Sequence, residues 1–208
     1  MADGEPIRDI VFDLGGVLID WDPRHLLCRH LGRDAAEVEH FLAHVCTPSW
    51  HRELDGGVSF DAACKSLTSA FPDYAEWILD YVRGWPKMFA GSFRATVASL
   101  YSLKAEGFRL HALSNYPGEQ IAFLYREFAF MREFDTVVLS GLVGVQKPEP
   151  RIFSYLRDRL DSRPCLFIDD RIENVEAARF SGMQALQFES NRAGTKLDTL
   201  LGGSGPAS

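Results

Sequence analysis

The sequence predicts an α/β protein, an open parallel sheet with a helical cap inserted after its first strand. Three observations carry that expectation. Short apolar runs bounded by Gly, Asp or Pro recur along the 208 residues, as buried parallel strands require. Segments of helical periodicity separate them. Between about residues 22 and 85 the alternation stops, and only helical or irregular patterns remain.

The first strand is read over residues 7–13, IRDIVFD. It runs on as FDLGGVLID, residues 12–20, so a buried strand delivers a carboxylate at its tip and then two glycines. In the insert, residues 24–30, 35–44, 60–71 and 73–82 each read as helix. Residues 92–106 place Phe93, Val97, Leu100 and Tyr101 on one helical face, with Gly107 as the stop. Strands follow at 108–114 (FRLHALS) and 136–140 (TVVLS). A helix over 148–160 opens with prolines and aligns Ile152, Leu156 and Leu160. The strand 164–169 (PCLFID), a helix over 172–181 carrying Val175 and Ala178 and ended by Gly182, and the strand 184–188 (QALQF) complete the alternation. The expected architecture is a Rossmann-like core of residues 1–20 and 86–202, a helical cap of residues 21–85, and a flexible tail of residues 203–208. A cap at that point sits over the carboxyl ends of the strands, where open α/β sheets bind ligands.

Composition narrows the partners. The chain is 46% hydrophobic and 25% charged, enough for one core or a core with a small insert. Its net charge of -7 and pI near 5.4 do not suit a nucleic-acid backbone or an anionic membrane. Cys28, Cys46, Cys64 and Cys165 form no C-x-x-C pair and no zinc spacing, so they read as reduced thiols. The opening MADGEPIRDI has no basic or apolar signal, and no run is long enough to span a bilayer. The expected location is the cytoplasm.

In a parallel sheet the strand ends face one way. Asp13, Ser114 with Asn115, and the pair Asp169–Asp170 therefore converge on one rim, joined by Lys147 at the start of a helix. Crowded carboxylates repel, and at least one pKa must rise. Mg2+, which prefers oxygen ligands and shares them with substrate phosphates, removes the difficulty. With the Lys147 ammonium and the donors of Ser114 and Asn115, the set suits a tetrahedral anion.

Here the chain resembles the haloacid dehalogenase-like hydrolase superfamily, over nearly its whole length. The motifs are FDLGGVLID with Asp13, LSN at residues 113–115, Lys147 in QKPEP, and FIDD at residues 167–170 followed by Asn174. All of them in order form a specific signal, though each alone is weak. The position of the insert makes it similar to the helical-cap branch, and the wording of the motifs to the bacterial glucose-1-phosphate phosphatase group. The resemblance implies that Asp13 attacks phosphorus and forms an aspartyl-phosphate. It implies that Ser114, the Asn115 backbone and Lys147 hold the phosphate. It further implies that Asp13, the Gly15 carbonyl, Asp169 and Asp170 hold Mg2+. The expected substrate is a small phosphorylated metabolite such as a sugar phosphate, acted on by a monomer or homodimer.

One position departs from the family's phosphatases. They carry a second Asp two residues after the nucleophile, as acid and base, where this chain has Gly15. Such help is worth roughly 100- to 10,000-fold in rate. Its loss favours easily expelled leaving groups, or else a cap residue or water replaces it. His25, His51, Arg52 and Glu53 are candidates by position. Two other readings stand beside the phosphatase: a metal-free 2-haloacid dehalogenase using Asp13, and a weakly catalytic phosphate- or partner-binding protein. Taken singly, Asp13 could cap a turn, Ser114–Asn115 could be a plain turn, Asp169 or Asp170 could cap the following helix, Lys147 could be a solvated helix-start residue, and Trp50, Trp77 and Trp85 read as cap packing.

Overall fold

The computed structural model describes residues 6–188, so the expected tail lies outside the described residues. The chain starts with β1 (Asp9–Phe12), whose four residues are all buried. A tight loop through Gly15 and Gly16 leads to β2 (Ile19–Trp21). A wide helical turn, His25–His30, opens the insert, followed by α1 (Ala35–His44), α2 (Pro48–Asp55), α3 (Phe60–Ala70) and α4 (Ala75–Arg83). Three of these helices have side-chain caps: Asp34 on α1, Thr47 on α2 and Ser59 on α3. Then β3 (Phe89–Ser92) returns and pairs antiparallel with β2, a two-stranded ribbon between insert and core.

The core continues with α5 (Arg94–Ala105), β4 (Arg109–Ser114), α6 (Ile121–Glu127) and β5 (Thr136–Leu139). After these come α7 (Ser140–Val143), α8 (Pro150–Arg159), β6 (Cys165–Asp169), α9 (Ile172–Phe180) and β7 (Gln184–Gln187). Five strands form one sheet in the order β5-β4-β1-β6-β7, every neighbouring pair parallel. The period of two shows in its packing. Ile10, Phe12, Leu110, Ala112 and Ile168 face one core with Leu100 and Leu103 of α5 and Leu124 of α6. Val11, Leu113 and Phe167 face the other, with Ile152, Phe153 and Leu156 of α8 and Ala178 of α9. The insert has a third core, with Phe41, Trp50, Leu54, Tyr81 and Trp85 among its buried members.

Several sequence expectations shift. Tyr101 was expected on the packed face of its helix, but it is 43% exposed. The buried stripe of α5 runs through Thr96, Ser99, Leu100 and Leu103, one step round the helix. Lys147 does not begin a helix; α8 starts at Pro150, and Lys147 sits in the preceding turn, 3% exposed and so not solvated. The insert holds one more helix, α2, than the four that were read from periodicity. No helix among the described residues is long and apolar enough to cross a membrane.

Candidate active site

Three neighbouring strands bring the expected residues to one rim. β1 lies between β4 and β6, with Phe12 paired to Ala112 on one side and Ile168 on the other. Asp13, Ser114 and Asp169 therefore leave their strands side by side, and all three are buried. The Asp13 N–H still donates to the Ile168 carbonyl at 2.8 Å, so its backbone continues the ladder.

Lys147 ties the rim together. Its Nζ lies 2.9 Å from Asp13 Oδ1 and 2.7 Å from Asp169 Oδ2. Burial works against charge on this lysine, but the two carboxylates raise its pKa and keep the ammonium. Asn115 holds the lysine in place. Its Nδ2 donates to the Lys147 carbonyl at 2.9 Å, and its Oδ1 accepts from the Lys147 N–H at 2.8 Å. The Asn115 side chain is thus a clamp on Lys147, a role that sequence reading did not give it.

Asp169 is oriented by several donors. Besides Lys147, it accepts from the Arg171 N–H at 2.9 Å and from Asn174 Nδ2 at 3.0 and 3.1 Å. Asp170 is half-buried beside Gly16. Gly16 has φ +72°, and a Cβ there would collide with the Asp170 carboxylate, so both backbone and space demand glycine. Gly15 is different, since an added Cβ would meet nothing within 4 Å.

Asp13, Asp169 and Asp170 each place a carboxylate oxygen within 4.8 Å of the others. One ammonium does not balance three carboxylates. Burial, reinforced by Asp169 and Asp170 and opposed by Lys147, pushes Asp13 up to about 7. Burial and the Asp169 charge push Asp170 up to about 6. A hard divalent cation relieves this crowding, so the donor set fits Mg2+.

Above the rim is a cavity of about 640 Å3. Asp13, Ser114, Lys147 and Asp170 line its floor, and Trp21, Leu42, Tyr81, Trp85 and Phe89 contribute apolar wall. Of the four cap candidates, His51 and Arg52 line it, while His25 and Glu53 do not. His25 instead pairs with Asp20 at 2.9 Å. Sequence reasoning missed Asp55, the last residue of α2, which also lines the cavity and is 7% exposed.

The cap end of α2 is fastened to the core. Ser140 Oγ donates to the Asp55 carbonyl at 2.5 Å and accepts from the Tyr116 N–H at 2.9 Å. Gln146 Nε2 donates to the Arg52 carbonyl at 2.8 Å. These bonds tie the wall of the cavity to the loops that follow β4 and β5 and to the neighbour of Lys147.

Comparison with known proteins agrees with this geometry. The sequence model described as haloacid dehalogenase-like hydrolase matches residues 7–182. The chain belongs to that hydrolase family. It is 25% identical to the sesquiterpene phosphatase astK of Aspergillus oryzae, over 88% of this chain and 90% of that protein. It is 27% identical to (S)-2-haloacid dehalogenase 1 of a Pseudomonas species, over 77% of this chain and 74% of the relative. Among solved structures, a HAD family enzyme from Bacteroides thetaiotaomicron superposes with TM-score 0.73 at 18% identity, covering 95% of this chain and 99% of that one. The same enzyme is also known as a magnesium complex. The family therefore contains both phosphatases and dehalogenases among this chain's relatives.

Proposed function

We propose that this hydrolase is a Mg2+-dependent phosphatase of small phosphomonoesters that works through an aspartyl-phosphate on Asp13. The observation that carries the reading is the cluster of Asp13, Asp169 and Asp170 within 4.8 Å, with Asp13 and Asp170 at the floor of the cavity and Lys147 paired to Asp13 and Asp169. Mg2+, held by Asp13, Asp170, Asp169 and the Gly15 carbonyl, would supply charge neutralisation at the phosphate. Asp13 Oδ attacks phosphorus in line, and the ester oxygen leaves. Lys147 holds Asp13 and offsets the developing charge, while Ser114 and the Asn115 backbone receive the phosphoryl oxygens. Water then cleaves the aspartyl-phosphate and restores Asp13.

The cavity walls bear on the substrate. Rings of Trp21, Trp85, Tyr81 and Phe89 stand where the organic group must lie. They favour an ester with an apolar or aromatic part over a bare sugar phosphate, whose hydroxyls would lose water against them. The protein's setting is the cytoplasm, where its free cysteines stay reduced. The dehalogenase reading is supported by the Pseudomonas relative, but that chemistry does not need a carboxylate pair to hold a cation.

The test is release of inorganic phosphate from aryl, prenyl and sugar phosphates, with Mg2+ or with EDTA. Turnover that requires Mg2+ and is strongest on the apolar esters is expected. Chloride release from 2-chloropropionate with no phosphate release would replace this reading with the dehalogenase.

A further inference from the structure

We propose that Asp55, reaching over from the cap, is the general acid and base of this site and takes the place of the carboxylate missing at Gly15. The inference rests on the phosphatase reading above. Asp55 and Asp13 line the same cavity, one from α2 and one from the floor. The Asp55 backbone is fixed by the Ser140 hydroxyl, and the turn before it by Gln146. A carboxyl on a loose lid could not meet a leaving oxygen reproducibly; this one is held from the catalytic side of the fold.

The surroundings hold the carboxyl ready to give up a proton. Asp55 is buried at the C-terminal end of a helix, where the helix dipole opposes negative charge. Burial pushes it up to about 7, against the charges of Lys147, Arg171 and Arg52. The uncharged rings of Tyr81 and Tyr116, whose own pKa values burial raises, complete its titratable neighbours along with His51. His51 Nε2 stands 3.8 Å from Asp55 Oδ1. The ring is stacked on Trp85 at 5.3 Å, and its Nδ1 is 3.0 Å from the Tyr81 hydroxyl. With Tyr81 donating to Nδ1, the His51 proton sits on Nε2, facing Asp55.

The other candidates fail on chemistry. Burial pushes His51 down to about 4, so it carries no transferable proton at neutral pH and serves as a positioning residue. The guanidinium of Arg52 is a donor with no acceptor atom and cannot serve as the base. Asp55 can perform both steps. As Asp13 forms its bond to phosphorus and the phosphorus–ester oxygen bond breaks, the Asp55 proton passes to the leaving oxygen and the alcohol departs. The Asp55 carboxylate then takes a proton from water as that water attacks phosphorus. The bond to Asp13 breaks, inorganic phosphate leaves, and Asp55 is again a carboxylic acid.

The experiment uses p-nitrophenyl phosphate, whose leaving group needs no proton, and phenyl phosphate, whose leaving group does. Asp55→Asn is expected to lose about 100-fold or more in kcat on phenyl phosphate. On p-nitrophenyl phosphate it should show a stoichiometric burst of nitrophenol followed by slow turnover, because only the second step lacks its base. Equal losses on both esters with no burst would overturn the proposal and make Asp55 structural. Wild-type kinetics test it without a variant. An acid in place keeps phenyl phosphate within roughly tenfold of the nitrophenyl ester, and a gap of about 1,000-fold would overturn the role. If the wild type releases phosphate from neither ester nor from any other, the phosphatase reading itself falls. Wild-type turnover with an unimpaired Asp55→Asn removes only this inference.

Discussion

Two buried aspartates sit at opposite ends of the same strand, and their surroundings differ in sign. Asp9 opens β1 and is 0% exposed. Arg109 Nε donates to it at 2.8 Å, His111 Nε2 lies at 2.8 Å, and Arg163 Nε stands 3.6 Å away. Burial alone would raise its pKa, but the bonds from Arg109 and His111 overcome that and lower it. Asp13, just past the other end, shares a single ammonium with Asp169 and has Asp170 beside it, and its pKa rises. Burial is common to both, so burial does not mark a functional carboxylate. The ratio of cations to carboxylates does. The Asp9 end is neutralised within the chain, whereas the Asp13 end is left to be completed by a cation and an anion from solution.

The largest effect should come from breaking the Asp13 end. Asp13→Asn should lower kcat on the order of 10,000-fold or more, measured as phosphate release. It should not destabilise the fold. The folded pKa near 7 lies above the usual 3.8, so the stability contributed by the neutral carboxyl is full at low pH and lost as pH rises through 7. Asparagine keeps that neutral form, so in EDTA at pH 8 the variant should melt above the wild type. A lower melting temperature there would mean that Asp13 is as well compensated as Asp9.

Asp9→Asn should do the reverse. It should cost roughly 3 kcal/mol at pH 7 in urea unfolding, with activity per folded molecule unchanged. The Asp9 pKa is lowered, so its stabilisation is present above the ordinary carboxylate range and lost as pH falls through the folded value. Wild type and variant should therefore converge in acid. Curves that stay parallel from pH 7 down to pH 3 would remove the charge from this account of the Asp9 end.

Much of the Asp13 end was legible in the sequence because its residues sit at fixed places on regular elements. Asp13, Ser114 and Asp169 end strands whose apolar runs are easy to read, and parallel pairing does the rest. The Asp9 end was not legible, since Arg109 and His111 are ordinary residues until strand register puts them beside it, and Arg163 reaches it from the segment before β6. The helix α2 did leave a signal: Thr47 and Pro48 are an N-cap and first-turn pair, and Gly56 follows its last residue. What local pattern could not show is that its end docks on Ser140 and Gln146 and so carries Asp55 to the cavity. The ribbon of β2 and β3 was missed because neither IDW nor FAGS is an unbroken apolar run of the kind that marked the core strands. Tyr101 was misplaced because a helical face defined by spacing alone can be turned by one residue and still look apolar.

The smallest effect tests how Lys147, the cation paired to Asp13, is aimed. Asn115→Ala removes both bonds to the Lys147 backbone. Each is worth ~1 kcal/mol, so a stability loss of about 1 to 2 kcal/mol is expected. The ammonium remains attracted to Asp13 and Asp169, so the charge stays in the site while its backbone anchor loosens. The rate should then fall by about tenfold rather than vanish, because a misplaced charge still stabilises the transition state in part. Asn115→Asp sharpens the point: it keeps an acceptor for the Lys147 N–H but loses the donor and adds a carboxylate to an end already short of cations. It should fall further than alanine in kcat. If alanine and aspartate were equivalent, the backbone clamp alone would account for Asn115, and the charge balance of the rim would not extend to this position.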